Sequence, residues 1–200
     1  MGRWGIALGW GWPEMARRLL VIGGGLARVR DLRGLLPEHP DPRIRFSARL
    51  AGWIEYLVIH HSAGPLMQTA AEIAAYHVGH NGWAGIGYHF VVRPSGGIDY
   101  VGDVDTSRAN VLGENHRVVG ICLVGDFETM VEEGGGVLSV RQLRATGRLC
   151  AALSSMWGRW VEMVPHRQLG ATACPGGRVV AVWDELEGRA RRLFDSRVGA

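Results

Sequence analysis

Hydrophobic and polar positions alternate irregularly over residues 1–50 and become regular further along the chain. An apolar run at residues 55–59 predicts a strand that leads into two histidines. The continuous apolar run at residues 118–124 predicts a central strand that is buried on both faces. Residues 87–93 and 98–101 flank a Pro-Ser-Gly-Gly sequence, which predicts a β-hairpin.

Three later stretches show the spacing of amphipathic helices. Thr69 is the expected N-cap of a helix over residues 70–78, because Glu72 stands three residues on and completes a capping box. A second helix is expected from a capping serine at position 139 to about position 160. Residues 178–194 predict a final amphipathic helix. Strands mixed with helices around one core predict an α/β domain in which helices cover a sheet.

The N-terminal part of the chain gives weaker signals. A short helix is expected over residues 13–22, followed by a glycine run that ends it. A second short helix is expected from a set of spaced apolar side chains, Val29, Leu32, Leu35 and Leu36. A stretch rich in proline and acidic residues at 38–42 is a candidate linker. We therefore predict a basic N-terminal extension over residues 1–50 and a single folded domain over residues 51–200.

Composition and charge limit the class of protein. With 47% hydrophobic and 20% charged residues, the chain can bury a core, and no run approaches the 18 apolar residues of a membrane span. Residues 1–50 contain nine arginines against four acidic residues, whereas the remainder is slightly acidic. This basic segment suits a polyanionic surface such as nucleic acid, anionic lipid or wall polymer, or is a solvated lead-in. It lacks the small-x-small cleavage site of a signal peptide.

Metal-ligating side chains are the main candidate chemistry. The three cysteines form no disulfide or zinc-finger pattern, and Cys122 and Cys150 lie in apolar patterns typical of buried positions. Cys174 stands alone before Pro-Gly, eight residues after His166, in a loop that proline and glycine can bend. His60 ends the first predicted strand. A catalytic zinc site needs three N or S ligands, although a lone histidine at a strand end is more often structural.

Four segments together resemble a known family. They are VIHHSAG (58–64), NGWAGIGYHFVV (81–92), ENHRVVGICLVGDF (114–127) and PHRQLGATACPG (165–176). In this order they resemble the zinc-dependent N-acetylmuramoyl-L-alanine amidases of the phage-lysozyme type, which also include the peptidoglycan recognition proteins. The resemblance implies a central mixed β-sheet flanked by helices, with zinc bound in a shallow groove at one edge.

The resemblance also assigns roles to individual residues. It implies that His60, His166 and Cys174 bind Zn²⁺, and that Tyr88 and Thr172 are catalytic. The implied reaction is hydrolysis of the amide bond between N-acetylmuramic acid and L-alanine of the stem peptide, by water that zinc activates. Tyr88 and Thr172 would then stabilise the oxyanion. The identity of the general base stays open, because no HExxH-type motif is present.

Three further residues are candidates for substrate contact, and two of them have a simpler alternative. His61 is a groove wall or an ordinary polar residue at a strand end. Trp83 stacks on sugar or peptide, or belongs to the core. Asn115 matches an asparagine that lies near the substrate groove in the family. His89 follows Tyr88 in a strand and should point to the opposite face, which favours a structural role.

The complete ligand set separates the expected functions. Family members that only bind peptidoglycan typically lose a ligand, often the cysteine, and recycling amidases that act on anhydro-muropeptides usually carry aspartate there. Many members have histidine where this chain has Asn110, so groove contacts should differ while zinc binding survives. We expect a monomeric, bacteriolytic, endolysin-like phage enzyme made in a bacterial cytoplasm and acting on cell-wall peptidoglycan. No nucleic-acid partner is expected, and the basic N-terminus is a candidate for contact with anionic wall or membrane polymers.

Overall fold

The computed structural model describes residues 29–198, so the helix expected over residues 13–22 lies outside the described residues. The strands in this part of the chain are β1 (Val29–Asp31), β2 (Ser47–Ala48), β3 (Tyr56–His61), β4 (Phe90–Val92), β5 (Ile98–Tyr100), β6 (Thr106–Ser107), β7 (Val118–Leu123) and β8 (Glu162–Pro165). The α-helices are α1 (Ala70–Gly79), α2 (Val140–Met156), α3 (Gly177–Val180) and α4 (Trp183–Val198).

The described strands form a mixed six-stranded sheet in the order β1-β5-β4-β7-β3-β8, with β2 and β6 paired separately. The β4–β5 pair is antiparallel and is the predicted hairpin, and the other pairs of the large sheet are parallel. Strand β7 is buried along its whole length between β4 and β3, as its continuous apolar run predicts. The predicted α/β class with a central mixed sheet and flanking helices is confirmed.

Helices cover both faces of this sheet. The larger core joins alternate side chains of β3 and β7, such as Ile59 and Ile121, to apolar residues of α2 and α4. On the opposite face, Ile73 of α1 packs in a second cluster that includes Cys122 of β7. Side chains alternate along each strand, so His60 faces the α1 side and its neighbour His61 the other. None of the helices in residues 29–198 has the length and apolarity that a membrane-spanning helix requires.

Helix α1 begins with the predicted capping box. The Thr69 hydroxyl accepts a hydrogen bond from the Glu72 backbone amide, and the Glu72 carboxylate accepts one from the Thr69 amide at 2.7 Å. We expect Thr69→Ala to lower the free energy of unfolding by about 1 kcal/mol, because the substitution leaves helix-terminal amides unpaired. Urea unfolding measures the change, and Thr69→Ser, which keeps the hydroxyl, is the control. Equal stability of Thr69→Ala and the parent chain would contradict the assignment.

Three element predictions are wrong at particular places. Residues from Val29 begin with strand β1 rather than a helix, because the backbone pairs in parallel with β5. Helix α2 ends at Met156 rather than near position 160, and Gly158 follows with a φ of +64° that turns the chain away. The final predicted helix is two helices, α3 and α4. The short strands β6 and β8 were not predicted from the sequence.

The N-terminal extension expected for residues 1–50 contributes its last part to the packed structure. Strand β1 pairs with β5 and strand β2 with β6. Arg49 is buried and donates hydrogen bonds to the carbonyl oxygens of Val104, Asn115 and Val118 at 2.6–2.9 Å. Arg49 therefore fixes the loop that precedes β7. This loop also reaches the candidate site.

Candidate metal centre

One cluster of three metal-ligating side chains occurs among residues 29–198. It consists of His60, His166 and Cys174, whose ligand atoms all lie within 4.8 Å of one another. The Nδ1 atom of His60 lies 3.7 Å from the Sγ atom of Cys174, and the two imidazole rings have centroids 4.5 Å apart. The three residues predicted as metal ligands are thus brought together, although they are up to 114 positions apart in sequence.

The sheet topology explains how the two histidines meet. His60 lies near the carboxyl end of β3, and His166 directly follows Pro165, the last residue of β8. Strands β3 and β8 are parallel neighbours, with Ile59 opposite Pro165. Parallel strands present their carboxyl ends at the same edge, where open α/β sheets bind ligands. The two imidazoles therefore leave rigid elements at one edge.

The loop after His166 folds back to bring Cys174 to the same place. The Arg167 amide donates to the Cys174 carbonyl oxygen at 2.9 Å, and the Cys174 amide donates to the Thr172 hydroxyl at 3.2 Å. Gly176 has a φ of +94°, and a Cβ atom there would lie 2.4 Å from the Phe127 carbonyl carbon. Only glycine fits this turn. The Cys-Pro-Gly sequence therefore sets the close approach of the loop to the sheet.

Burial determines the charge of the three candidate ligands. It lowers the pKa of His60 well below the usual value and also lowers the pKa of His166, so both imidazoles are neutral at neutral pH. Burial raises the pKa of Cys174 to about 11, against the effect of the His61 backbone amide, which donates to the sulfur at 3.4 Å. The cluster therefore offers two neutral nitrogen donors and a thiol that keeps its proton at neutral pH and must lose it to bind a metal.

Tyr88 and Thr172, predicted as catalytic, both line the cleft that contains the cluster. The Tyr88 ring lies 5.1 Å from the His60 ring. Burial raises the pKa of Tyr88 well above its usual value, with further contributions from Cys122 and Cys174. The phenol therefore keeps its proton at neutral pH and is a hydrogen-bond donor. Thr172 accepts from the Cys174 amide, which leaves its own hydroxyl proton free to donate.

The cleft has a volume of about 320 Å³. Its remaining lining combines aromatic and polar side chains: Ser62, Ala63, Gln68, Ile73, Tyr76, His77, Trp83, Ala109 and Asn110, together with His61. The Trp83 ring lies 4.6 Å from the ring of His77, whose Nδ1 accepts a hydrogen bond from the Gly87 amide. The metal-ligating cluster thus lies in a concave surface with aromatic walls, as small-ligand sites commonly do.

The three residues expected to contact substrate have different positions. Trp83 lines the cleft. The His61 ring accepts a hydrogen bond from the Phe127 amide at 3.1 Å, so its backbone amide, rather than its ring, reaches Cys174. Asn115 is not among the cleft-lining residues of the described chain. Its side chain accepts from two backbone amides of its own loop, which places it behind the site rather than in it.

Two residues at the cleft were given no role in the site from the sequence. Asn110 lines the cleft, and its side chain lies in the position expected to differ from the family. Cys122 was predicted correctly as buried, and it lies close enough to Tyr88 to raise the pKa of the phenol. The pairing of Cys122 with His60 across β7 and β3 puts both side chains on one face. The pairing of Cys122 with His60 follows from the strand register, which local sequence patterns do not contain. The expected structural role of His89 fits its burial and its bond from the Gly120 amide.

Solved structures that share this fold include endolysins and peptidoglycan recognition proteins. The Ph2119 endolysin from the Thermus scotoductus MAT2119 bacteriophage superposes with a TM-score of 0.65 at 25% identity, over 80% of this chain and 98% of that one. The bumblebee peptidoglycan recognition protein SA superposes with a TM-score of 0.64 at 23% identity, over 81% of this chain and 97% of that one. This chain therefore has the fold that these endolysins and peptidoglycan recognition proteins share.

The sequence comparisons define the family more narrowly. The model of the N-acetylmuramoyl-L-alanine amidase family matches residues 50–177. Peptidoglycan-recognition protein SC2 of Drosophila melanogaster is 32% identical over 147 residues, which are 68% of this chain and 74% of that protein. The endolysin of Klebsiella phage KP32 is 29% identical over 58% of this chain and 75% of its own length. The chain belongs to the N-acetylmuramoyl-L-alanine amidase family.

Proposed function

We propose that the protein is a zinc-dependent peptidoglycan hydrolase that cleaves the amide bond between N-acetylmuramic acid and L-alanine of the stem peptide. The observation that carries this proposal is the His60, His166 and Cys174 cluster on the floor of a cleft, with the protonated Tyr88 beside it. A protein that only recognises peptidoglycan has no need of three converging metal ligands. The complete set therefore favours hydrolysis over recognition alone.

The donor set fits zinc. Two imidazole nitrogens and one thiolate suit Zn²⁺, and three protein ligands leave the fourth position of a catalytic site open. Ordinary zinc bond lengths in a tetrahedron separate a nitrogen and a sulfur ligand by about 3.6 Å, and the His60 Nδ1 to Cys174 Sγ distance is 3.7 Å. When bound, zinc supplies Lewis-acid chemistry that polarises a carbonyl and makes water a nucleophile near neutral pH.

The side chains around the cluster complete the proposed site. The Tyr88 phenol and the Thr172 hydroxyl are the donors that would stabilise negative charge developing on the amide oxygen. Because Tyr88 holds its proton, it serves as a donor and not as the base. Trp83 and His77 offer aromatic surface for the sugar or the stem peptide. His61 supports Cys174 through its backbone amide.

Zinc binding by the metal-free protein should release about one proton at pH 7.5. Cys174 has a pKa of about 11 and must lose its proton to bind metal, whereas the lowered pKa values leave both histidines already neutral. Affinity should consequently rise about tenfold per pH unit between pH 7 and pH 9, as fewer protons compete for the thiolate. Calorimetric titration in two buffers of different ionisation enthalpy measures the proton count. Release of no proton would contradict the assigned ligand states.

We further propose an endolysin-like role in which the protein acts on bacterial cell-wall peptidoglycan. Similarity to the endolysin of Klebsiella phage KP32 and to the Ph2119 endolysin supports this role. Similarity to peptidoglycan recognition proteins favours the same polymer as the ligand, and it makes recognition without hydrolysis the second candidate function.

Incubation with purified sacculi distinguishes hydrolysis from recognition, because only hydrolysis releases new chemical groups. An amidase frees the amino group of L-alanine and creates no reducing sugar end, so we expect primary amines to rise while reducing ends stay constant. A recognition module would bind the sacculi and release neither group. A recycling amidase would cleave soluble anhydro-muropeptides but leave sacculi intact. Either of the last two results would overturn the proposed function.

A further inference from the structure

Three residues that line the cleft have a buried polar atom without a hydrogen-bond partner within residues 29–198: His60, Gln68 and Asn110. Two of these atoms, Nε2 of His60 and Oδ1 of Asn110, belong to residues that are 1% and 8% exposed. A buried polar atom without a partner is costly. One of the two atoms is an imidazole nitrogen that can carry a proton, and the other is an acceptor. Each therefore supplies what the other lacks.

The strand register and the contact of Asn110 with Gly120 place both side chains on the same side of the sheet. Gly120 of β7 pairs with Val58 of β3, and Cys122 pairs with His60, so Gly120 and His60 face the same side of the sheet. The Asn110 amide lies directly over Gly120, where a Cβ atom would be 2.7 Å from Oδ1. Burial lowers the pKa of His60, and the nearby Asn110 side chain acts on that pKa in the opposite direction.

The remaining bonds fix the orientation of both groups. The Asn110 Nδ2 atom donates to the Arg108 carbonyl oxygen at 2.9 Å, so the amide oxygen is the end left to face the imidazole. An oxygen accepts a bond only from a protonated nitrogen, which puts the His60 proton on Nε2. The lone pair of His60 then lies on Nδ1. This is the atom 3.7 Å from the Cys174 sulfur.

We propose that Asn110 is a positioning residue that holds His60 in the Nε2-protonated tautomer, so that Nδ1 is free to bind the metal. This inference rests on the proposed zinc site. A metal-ligating histidine commonly donates its second ring N–H to a carboxylate, carbonyl or water, and loss of that partner typically weakens metal binding by about 10–100-fold. In this chain the acceptor is a side-chain amide.

The loop behind the cleft is built to place Asn110. The Asn115 Oδ1 atom accepts hydrogen bonds from the Asn110 and Val111 amides, both at 2.9 Å, and the Asn115 carbonyl accepts from buried Arg49. Asn115 therefore acts on the site through Asn110. This contact gives a physical role to the asparagine that the sequence placed near the groove.

The first test compares zinc affinities of full-length variants by competition with a chromophoric chelator. Asn110→Leu keeps the branched shape of the side chain and removes the acceptor, and we expect its zinc affinity to fall by about 10–100-fold. Asn110→Asp restores an acceptor, so its loss should stay below about tenfold. Leu112→Ala, at a position 97% exposed in the same loop, should bind as the parent chain does. Equal affinity in Asn110→Leu and the parent chain would overturn the inference.

The second test is made on the parent chain, so it does not depend on whether an Asn110 variant folds. Long-range proton–nitrogen NMR spectra of the metal-free parent chain report which ring nitrogen carries the proton, and the His60 signals are assigned by their loss in His60→Gln. We expect the Nε2-protonated tautomer. The Nδ1-protonated tautomer would overturn the inference and leave the proposed function intact. A parent chain that binds no zinc would instead overturn the proposed function itself, together with this inference.

Discussion

Replacing Cys174 by alanine is expected to abolish zinc binding and peptidoglycan hydrolysis together. Cys174 supplies the only sulfur of the three proposed ligands and, once it has lost its proton to the metal, their only negative charge. Zinc sites with four ligands bind with about 10–16 kcal/mol, so the loss of one ligand should weaken binding by at least about 100-fold. Metal analysis after dialysis and release of primary amines from sacculi measure both effects.

Cys150→Ala is the matched control for this substitution. Cys150 is also a free, buried cysteine, but it lies in the core packed around helix α2. Its replacement should change stability while zinc content and hydrolysis persist. If Cys174→Ala kept its zinc and its activity, Cys174 would not be the third ligand.

Tyr88→Phe is expected to reduce kcat by about 10²–10³, the usual effect of removing one oxyanion donor. The phenylalanine ring can keep the packing against His60 and His77, whose ring centroids lie 5.1 and 5.4 Å from that of Tyr88. Zinc content and binding to sacculi should therefore stay the same. Initial rates at several concentrations of a soluble muramyl peptide separate kcat from KM.

Tyr76→Phe controls for the loss of a hydroxyl from the same cleft. Tyr76 also lines the cleft, but its side chain is 56% exposed, and its ring stacks on His80 outside the cluster. We expect the rate of Tyr76→Phe to match that of the parent chain. A Tyr88→Phe protein with undiminished kcat would remove Tyr88 from the catalytic groups.

Features of the fold that depend on local sequence were predictable. The apolar run over residues 118–124 becomes the buried strand β7, since a strand covered on both faces needs apolar residues at every position. Thr69 and Glu72 form the expected capping box because its bonds join residues only three positions apart. Ser139 likewise caps α2 by accepting from the Gln142 amide.

Features that depend on distant partners were not predictable in this way. Strand β1 has three residues, and its stability comes from pairing with β5 and from the Arg30 guanidinium, which donates two hydrogen bonds to buried Asp99. The spacing of Val29 and the leucines after it does not indicate that this segment pairs with β5. Arg49 belongs to the same category, because nothing near it in sequence indicates the buried carbonyls that it contacts.

The same distinction applies to the candidate site. The family motifs identified the three converging residues and Tyr88, since those motifs reflect the whole fold. They made Asn115 the candidate for substrate contact and marked Asn110, five positions before it in the same loop, only as a departure from the family. Only the structure shows that Asn115 holds the backbone of this loop while Asn110 lines the cleft together with His60. A loop conformation of this kind follows from tertiary contacts and not from the local pattern.

Mass spectrometry of the soluble products from purified sacculi tests zinc-dependent amide hydrolysis most directly. The protein is incubated with sacculi alone, with a zinc chelator, and with the chelator followed by excess zinc. The expected result is free stem peptides that begin with L-alanine, lost with the chelator and restored by zinc. Glycan fragments, or stem peptides released equally with the chelator present, would contradict a zinc amidase built on His60, His166 and Cys174.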